Sequence, residues 1–185
     1  MTIKDKPYGC LMIDFKIDHW QQLISLINDS DLYTGDGETD QTFGREFAPH
    51  TTILYGLHHD YIDMGKLRKI ALPLKSLVVI LKDISFFKNP LYDVLKFNIQ
   101  SSELSDMNRQ YKSTFANTST YPNYNPHITI AYLQPGKGSK YVNKIGHKLK
   151  CNIENDVAHF NKPYVINPHK YSYSYNFKTL ETFMK

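Results

Sequence analysis

Pro49-His50-Thr51-Thr52-Ile53-Leu54-Tyr55 returns 77 residues later as Pro126-His127-Ile128-Thr129-Ile130-Ala131-Tyr132, identical at five of seven positions. Both copies follow a turn-rich stretch. Both carry the β-branched and aromatic residues that suit a pleated, half-buried strand. Side chains alternate faces along a strand, so His50 and Thr52 share one face, as do His127 and Thr129. If the two strands lie side by side, two imidazoles and two hydroxyls line one cleft.

The surroundings of the repeat set the fold class. Upstream, Tyr8 to Lys16 reads as a buried strand, and Asp18-x-x-Gln21 as a capping box for the helix after it. Ile17, Trp20, Leu23, Ile24 and Ile27 form that helix's apolar stripe. A strand over about 50–56 precedes a helix over about 61–71. Two strands, 76–87 and 91–100, meet at the Asn89-Pro90 turn. Ser101 or Ser102 caps a helix with the stripe Leu104, Met107, Tyr111 and Phe115. The second copy gives a strand over 127–133, and late strands are expected near 162–166 and 170–180. This order predicts an α+β fold with mostly antiparallel sheets, residues 1–185 forming one domain.

Composition narrows the function. With 185 residues, 41% of them hydrophobic, the chain can bury a sizeable core and is not a disordered tail. No run is long enough to span a membrane, and the N-terminus lacks an apolar signal core, so a cytoplasmic setting is expected. Two cysteines, Cys10 and Cys151, make neither a disulfide framework nor a four-ligand zinc site. The net charge of +4 conceals a local −5 over residues 29–46, which leaves +9 elsewhere. That charge is too small for a tight duplex-DNA binder. The acidic segment is expected to be a lid or binding loop. It is not a calcium loop, because Tyr33 and Thr34 occupy positions that need a ligand and a glycine.

Paired histidines can cleave a phosphodiester without a metal or cofactor. One neutral ring takes a proton from the attacking hydroxyl or water, and the other, protonated, gives one to the leaving oxygen. Threonine hydroxyls can donate to the non-bridging oxygens as charge builds there.

Two His-x-Thr motifs, one in each half of a chain this size, resemble the 2H phosphoesterase superfamily. Within it, PHTTILYG (49–56) and YPNYNPHITIAY (121–132) are similar to the phage anti-CBASS nucleases. The resemblance implies two pseudo-symmetric lobes of antiparallel sheet flanked by helices, with both motifs facing a central groove. It implies His50 and His127 as the acid/base pair and Thr52 and Thr129 as phosphate ligands. It further implies a cyclic di- or trinucleotide immune signal as substrate, cleaved in the host cytoplasm. Family members hold the base with a tyrosine in the first strand, for which Tyr8 is the candidate here. They also use a glutamate and a tryptophan near the C-terminus, where this sequence has Tyr171, Tyr173, Tyr175 and Phe177. Tyr173 stands for that group.

Tyr121 and Tyr124 precede His127 and are further candidates for base stacking. Lys137, Lys140, Lys144 and Lys148 recur at helical spacing, either as an anion-attracting face or as a solvated one. Arg45 either steadies a phosphate or forms a surface ion pair. His58 and His59, with Asp60 and Asp63, fit no zinc spacing, and no metal site is assigned. Two alternatives remain beside the cyclic-oligonucleotide phosphodiesterase. One is an RNA 2′,3′-cyclic or 2′-5′ phosphodiesterase using the same four residues; the other is a non-catalytic nucleotide-binding module.

Overall fold

A computed structural model describes residues 8–15, 17, 19–35, 43–58, 63–71, 77–119, 121–146 and 164–166. In chain order these form β1 (Tyr8–Asp14), α1 (Trp20–Ile24), a 3₁₀ turn (Asp29–Asp31), β2 (His50–His58), α2 (Met64–Ala71), β3 (Leu77–Lys88), β4 (Asp93–Gln100), α3 (Ser102–Thr114), β5 (His127–Leu133), α4 (138–146) and β6 (Tyr164–Ile166). The expected late strand at 170–180, with Tyr173, lies outside the described residues.

The strands make two antiparallel sheets: β1 with β2, and a four-stranded sheet in the order β5-β4-β3-β6. The two copies of the repeat therefore lie in different sheets and do not pair with each other. The sheets meet over one apolar core that takes Leu11 and Leu54 from the first, Phe97 and Ile128 from the second, and Tyr111 from α3. The expected stripes on both helices are buried: Trp20, Leu23 and Ile24 on α1, and Leu104, Met107 and Tyr111 on α3.

Helix starts follow local chemistry. Ser101 caps α3, its hydroxyl accepting from the Leu104 N–H at 3.3 Å. The expected capping box on α1 does not hold. His19 occupies the N-cap in the left-handed region, φ 59°, without a side-chain cap. Gln21 is thus one residue short of the position a capping box needs. Burial anchors this single turn instead, and the Trp20 indole N–H donates to the Glu46 carbonyl at 2.7 Å.

The acidic segment is not simply a lid, because its described ends clasp the outer edge of β5. Leu32 bridges to Leu133 and Arg45 to Ala131. Tyr33 N–H donates to the Tyr132 carbonyl, and Tyr132 N–H to that of Gly44. Arg45 is structural: it donates to the Ile24 and Ile27 carbonyls and to Asp29 Oδ1, closing the exit of α1. Behind this segment, Asp31 is buried and binds Lys140 at 2.5 Å, Lys137 at 3.3 Å and the Tyr141 hydroxyl at 2.8 Å. Lys144 donates to the Leu26 carbonyl at 2.7 Å. Lys137 and Lys140 thus tie the start of α4 to the 3₁₀ turn and Lys144 ties α4 to Leu26, while Lys148 lies outside the described residues.

Candidate active site

The repeat is repeated in three dimensions. Over seven residues β2 and β5 share one burial sequence, in which positions one, three and six are half-buried and the others buried. Plain alternation would have sent Tyr55 and Tyr132 to the face opposite the histidines. A β-bulge in each strand resets the phase. The β1–β2 register slips at Ile53, and the β4–β5 register slips at Ile130, the matching position of the second copy. A bulge leaves a carbonyl outside its ladder, and burial demands a partner for it. Asn108 of α3 donates to the Ile53 carbonyl at 2.5 Å, and the Glu46 N–H to the Ile130 carbonyl at 3.0 Å. His50, Thr52 and Tyr55 thus share one face, and His127, Thr129 and Tyr132 its counterpart. Gly56 follows the first bulge at φ 78°, and residues 116–118 run close beside it. A side chain there would press on Thr118.

Both imidazoles are held the same way. His50 Nδ1 lies 2.9 Å from the Ala48 carbonyl, and His127 Nδ1 lies 2.9 Å from the Asn125 carbonyl. A carbonyl can only accept, so each Nδ1 carries the proton and each Nε2 is left for chemistry. The two rings differ in their surroundings. Glu46 Oε2 is 3.7 Å from His50 Nδ1, an ion pair when that ring is protonated. Glu46 is itself fixed, since its other oxygen accepts the Ala48 N–H at 3.1 Å. Burial pushes the His127 pKa below its ordinary value, the Asn125 carbonyl opposes this, and the charges of Lys96 and His50 add to it. His127 is therefore biased toward the neutral base.

The threonines differ from their neighbour. Among the described residues the hydroxyls of Thr52 and Thr129 have no protein partner, which leaves them able to donate to a ligand. Thr51 is buried and its hydroxyl is unsatisfied. The Tyr124 hydroxyl beside it donates instead to the Thr52 carbonyl at 3.1 Å.

The candidate base-holding residues are spread out. Tyr121 is exposed and meets the Tyr55 ring edge-on, centroids 6.4 Å apart, at the histidine face of β2. Tyr124 packs against the core and ties the approach to β5 onto β2. Tyr8 pairs with His58, whereas Asp14 pairs with His50, so Tyr8 stands at the far end of the β1–β2 ladder. His58 ends β2, while His59 lies outside the described residues. Among the described residues no group of three or more His, Cys, Asp or Glu is placed to hold a metal ion. Sequence reasoning missed Glu46, four residues before His50, and Phe87, whose ring meets His127 edge-on at 5.2 Å. It also missed Lys96 and Asn98, which pair with Thr129 and His127 across the β4–β5 ladder.

Two solved structures share this arrangement of elements. Both are Usb1 from Kluyveromyces marxianus, one of them with uridine monophosphate. The first is 14% identical, covers 86% of this chain and 91% of its own, and superposes with a TM-score of 0.52. The uridine monophosphate structure is 12% identical, covers 85% and 90%, and superposes with a TM-score of 0.51. The chain has the 2H phosphoesterase fold. Neither protein-family models nor curated protein sequences match it.

Proposed function

We propose that this chain is a phosphodiesterase of the two-histidine type that cleaves nucleotide phosphodiesters, with cyclic oligonucleotide signals as its substrates. The single observation that carries this reading is the doubled site. Two strands with one burial sequence and matching bulges each hold a histidine by Nδ1 and present Nε2 beside an unpartnered threonine. In this mechanism neutral His127 takes the proton of the attacking ribose hydroxyl or water as the new phosphorus–oxygen bond forms. Protonated His50, beside Glu46, gives its Nε2 proton to the leaving oxygen as the old bond breaks. Thr52 and Thr129 donate to the non-bridging oxygens, where charge develops.

The cyclic-oligonucleotide substrate is supported by the Tyr-Pro-x-Tyr-x-Pro lead-in at 121–126 and its resemblance to the anti-CBASS nucleases. Such cleavage would remove a CBASS immune signal. A second reading, RNA ends bearing 2′,3′-cyclic phosphate or 2′-5′ linkages, is favoured by the uridine monophosphate in one of the similar Usb1 structures. Incubation in excess EDTA with cyclic dinucleotides, cyclic trinucleotides and 2′,3′-cyclic-ended RNA, read by mass spectrometry, separates them. Cleavage of the cyclic oligonucleotides supports the first reading. Cleavage of RNA ends alone selects the second, and binding without turnover leaves a nucleotide-binding module.

A further inference from the structure

Lys96 is an unusual strand residue. It sits in the middle of β4, is only 6% exposed, and its ammonium touches no carboxylate among the described residues. It donates to Ser85 Oγ at 2.9 Å and to Asn98 Oδ1, and it lies 4.3 Å from the centroid of the Phe87 ring. The carboxylate of Asp83 bonds Asn98 Nδ2 at 2.8 Å rather than the ammonium. A buried cation with neutral partners is costly, and such charges are ordinarily compensated by an anion. An ammonium has three donors, so one remains beyond Ser85 and Asn98.

The surroundings show where that anion would enter. Ser85, Phe87, Lys96, Asn98, Asn125 and Pro126 line a cavity of about 390 Å³, within the size range of ligand sites. It opens beside the catalytic face. Asn125 supplies the carbonyl that holds His127, and Phe87 touches both the Lys96 ammonium and the His127 ring. Phe87 is also exposed, so a ligand in the cavity meets an aromatic surface next to a cation. On the ladder Lys96 stands between Ser85 of β3 and Thr129 of β5, and its ammonium bonds Ser85.

We propose that this cavity is a subsite for a second nucleotide unit, in which Lys96 binds the phosphate flanking the scissile one and Phe87 packs against that unit. The inference rests on the phosphodiesterase reading and deepens it. The preferred substrate then carries at least two phosphates, as a cyclic oligonucleotide or an RNA strand does and a lone cyclic mononucleotide does not.

The test is calorimetric binding of uridine monophosphate and uridine 3′,5′-bisphosphate to the whole chain. The unaltered protein should bind the bisphosphate more tightly. Lys96→Met should remove that advantage, with a loss of about tenfold or more for the bisphosphate, and Lys96→Arg should restore most of it. Equal losses for both nucleotides would place Lys96 at the scissile phosphate and overturn the subsite, as would no loss for either. A second measurement needs no variant. With its ammonium 4.3 Å from the Phe87 ring centroid, the Lys96 ε-methylene signal should lie upfield in the NMR spectrum, and it should move with the bisphosphate but not with uridine monophosphate. If uridine monophosphate binds and the bisphosphate gains nothing, the subsite fails alone. If neither binds, the phosphodiesterase reading fails with it.

Discussion

Thr51 and Thr52 are adjacent, yet replacing each with valine should have opposite effects. Valine keeps the β-branch and the strand preference, so the hydroxyl is the only group under test. The Thr51 hydroxyl is buried without a partner. An unsatisfied buried donor costs about 1–3 kcal/mol, so Thr51→Val should gain about 1 kcal/mol. In a chain of this length that raises Tm by about 2–4 °C. Activity should not change, because this side chain points into the core. Thr52 lies on the histidine face and its hydroxyl has no protein partner. Thr52→Val should leave stability within about 0.5 kcal/mol. Its kcat should fall about 10²–10³-fold, the usual cost of one donor to a developing oxyanion. Thermal melts and single-turnover cleavage of the three proteins read both effects. A loss of stability in Thr51→Val, or a loss of activity in Thr51→Val with none in Thr52→Val, would refute the strand phase from which the site is built.

Other outcomes follow from the same structure. Burial lowers the His127 pKa below its ordinary 6.5, and the base works only when neutral. The acid limb of kcat/KM against pH should therefore fall below pH 6.5, with the rate rising as pH increases through it. Hydrogen bonds from Lys140 and Tyr141 hold the Asp31 carboxyl well below the usual carboxylate range. A depressed folded pKa gives stability that is present above the unfolded value, about 4, and is lost as pH falls. Denaturant melts should show that loss between about pH 5 and pH 2, and Asp31→Asn should flatten it while lowering stability at pH 7. Gly138 opens α4, its N–H donates to buried Asp93, and a Cβ there would lie 2.3 Å from the Phe86 ring. Overpacking costs about 1–3 kcal/mol, which outweighs the helix preference of alanine, at most about 1 kcal/mol. Gly138→Ala should therefore melt earlier, and Gly138→Ala with Phe86→Leu should recover part of the loss.

Particular residues show how far the sequence could be read. The strand at 127–133, the Ser101 cap and the α3 stripe were legible because hydrophobic period and cap chemistry are local signals. The histidine–threonine pairs were legible for the same reason, since alternation within three residues needs no knowledge of the partner strand. Beyond three residues it failed. The bulges at Ile53 and Ile130 depend on registers with β1 and β4, so the return of Tyr55 and Tyr132 to the site face was hidden. Lys96 carries no sequence signal of its setting, because its burial comes from β3 and from the Phe87 ring against its ammonium. For Lys140 an anion-attracting and a solvated face both stood open until Asp31, more than 100 residues earlier, supplied its partner. Of the two readings of Arg45 the ion pair holds, with Asp29, while its bonds to the Ile24 and Ile27 carbonyls were hidden, since carbonyls carry no sequence signature.

The central claim is that one imidazole from each repeat carries the proton transfers. Single-turnover cleavage in EDTA by His50→Ala, His127→Ala and the double variant tests it most directly. Each single variant should lose about 10²–10⁴-fold, and the double little more than the worse single one, because the two rings act as a unit. Wild-type cleavage by either single variant would contradict the claim.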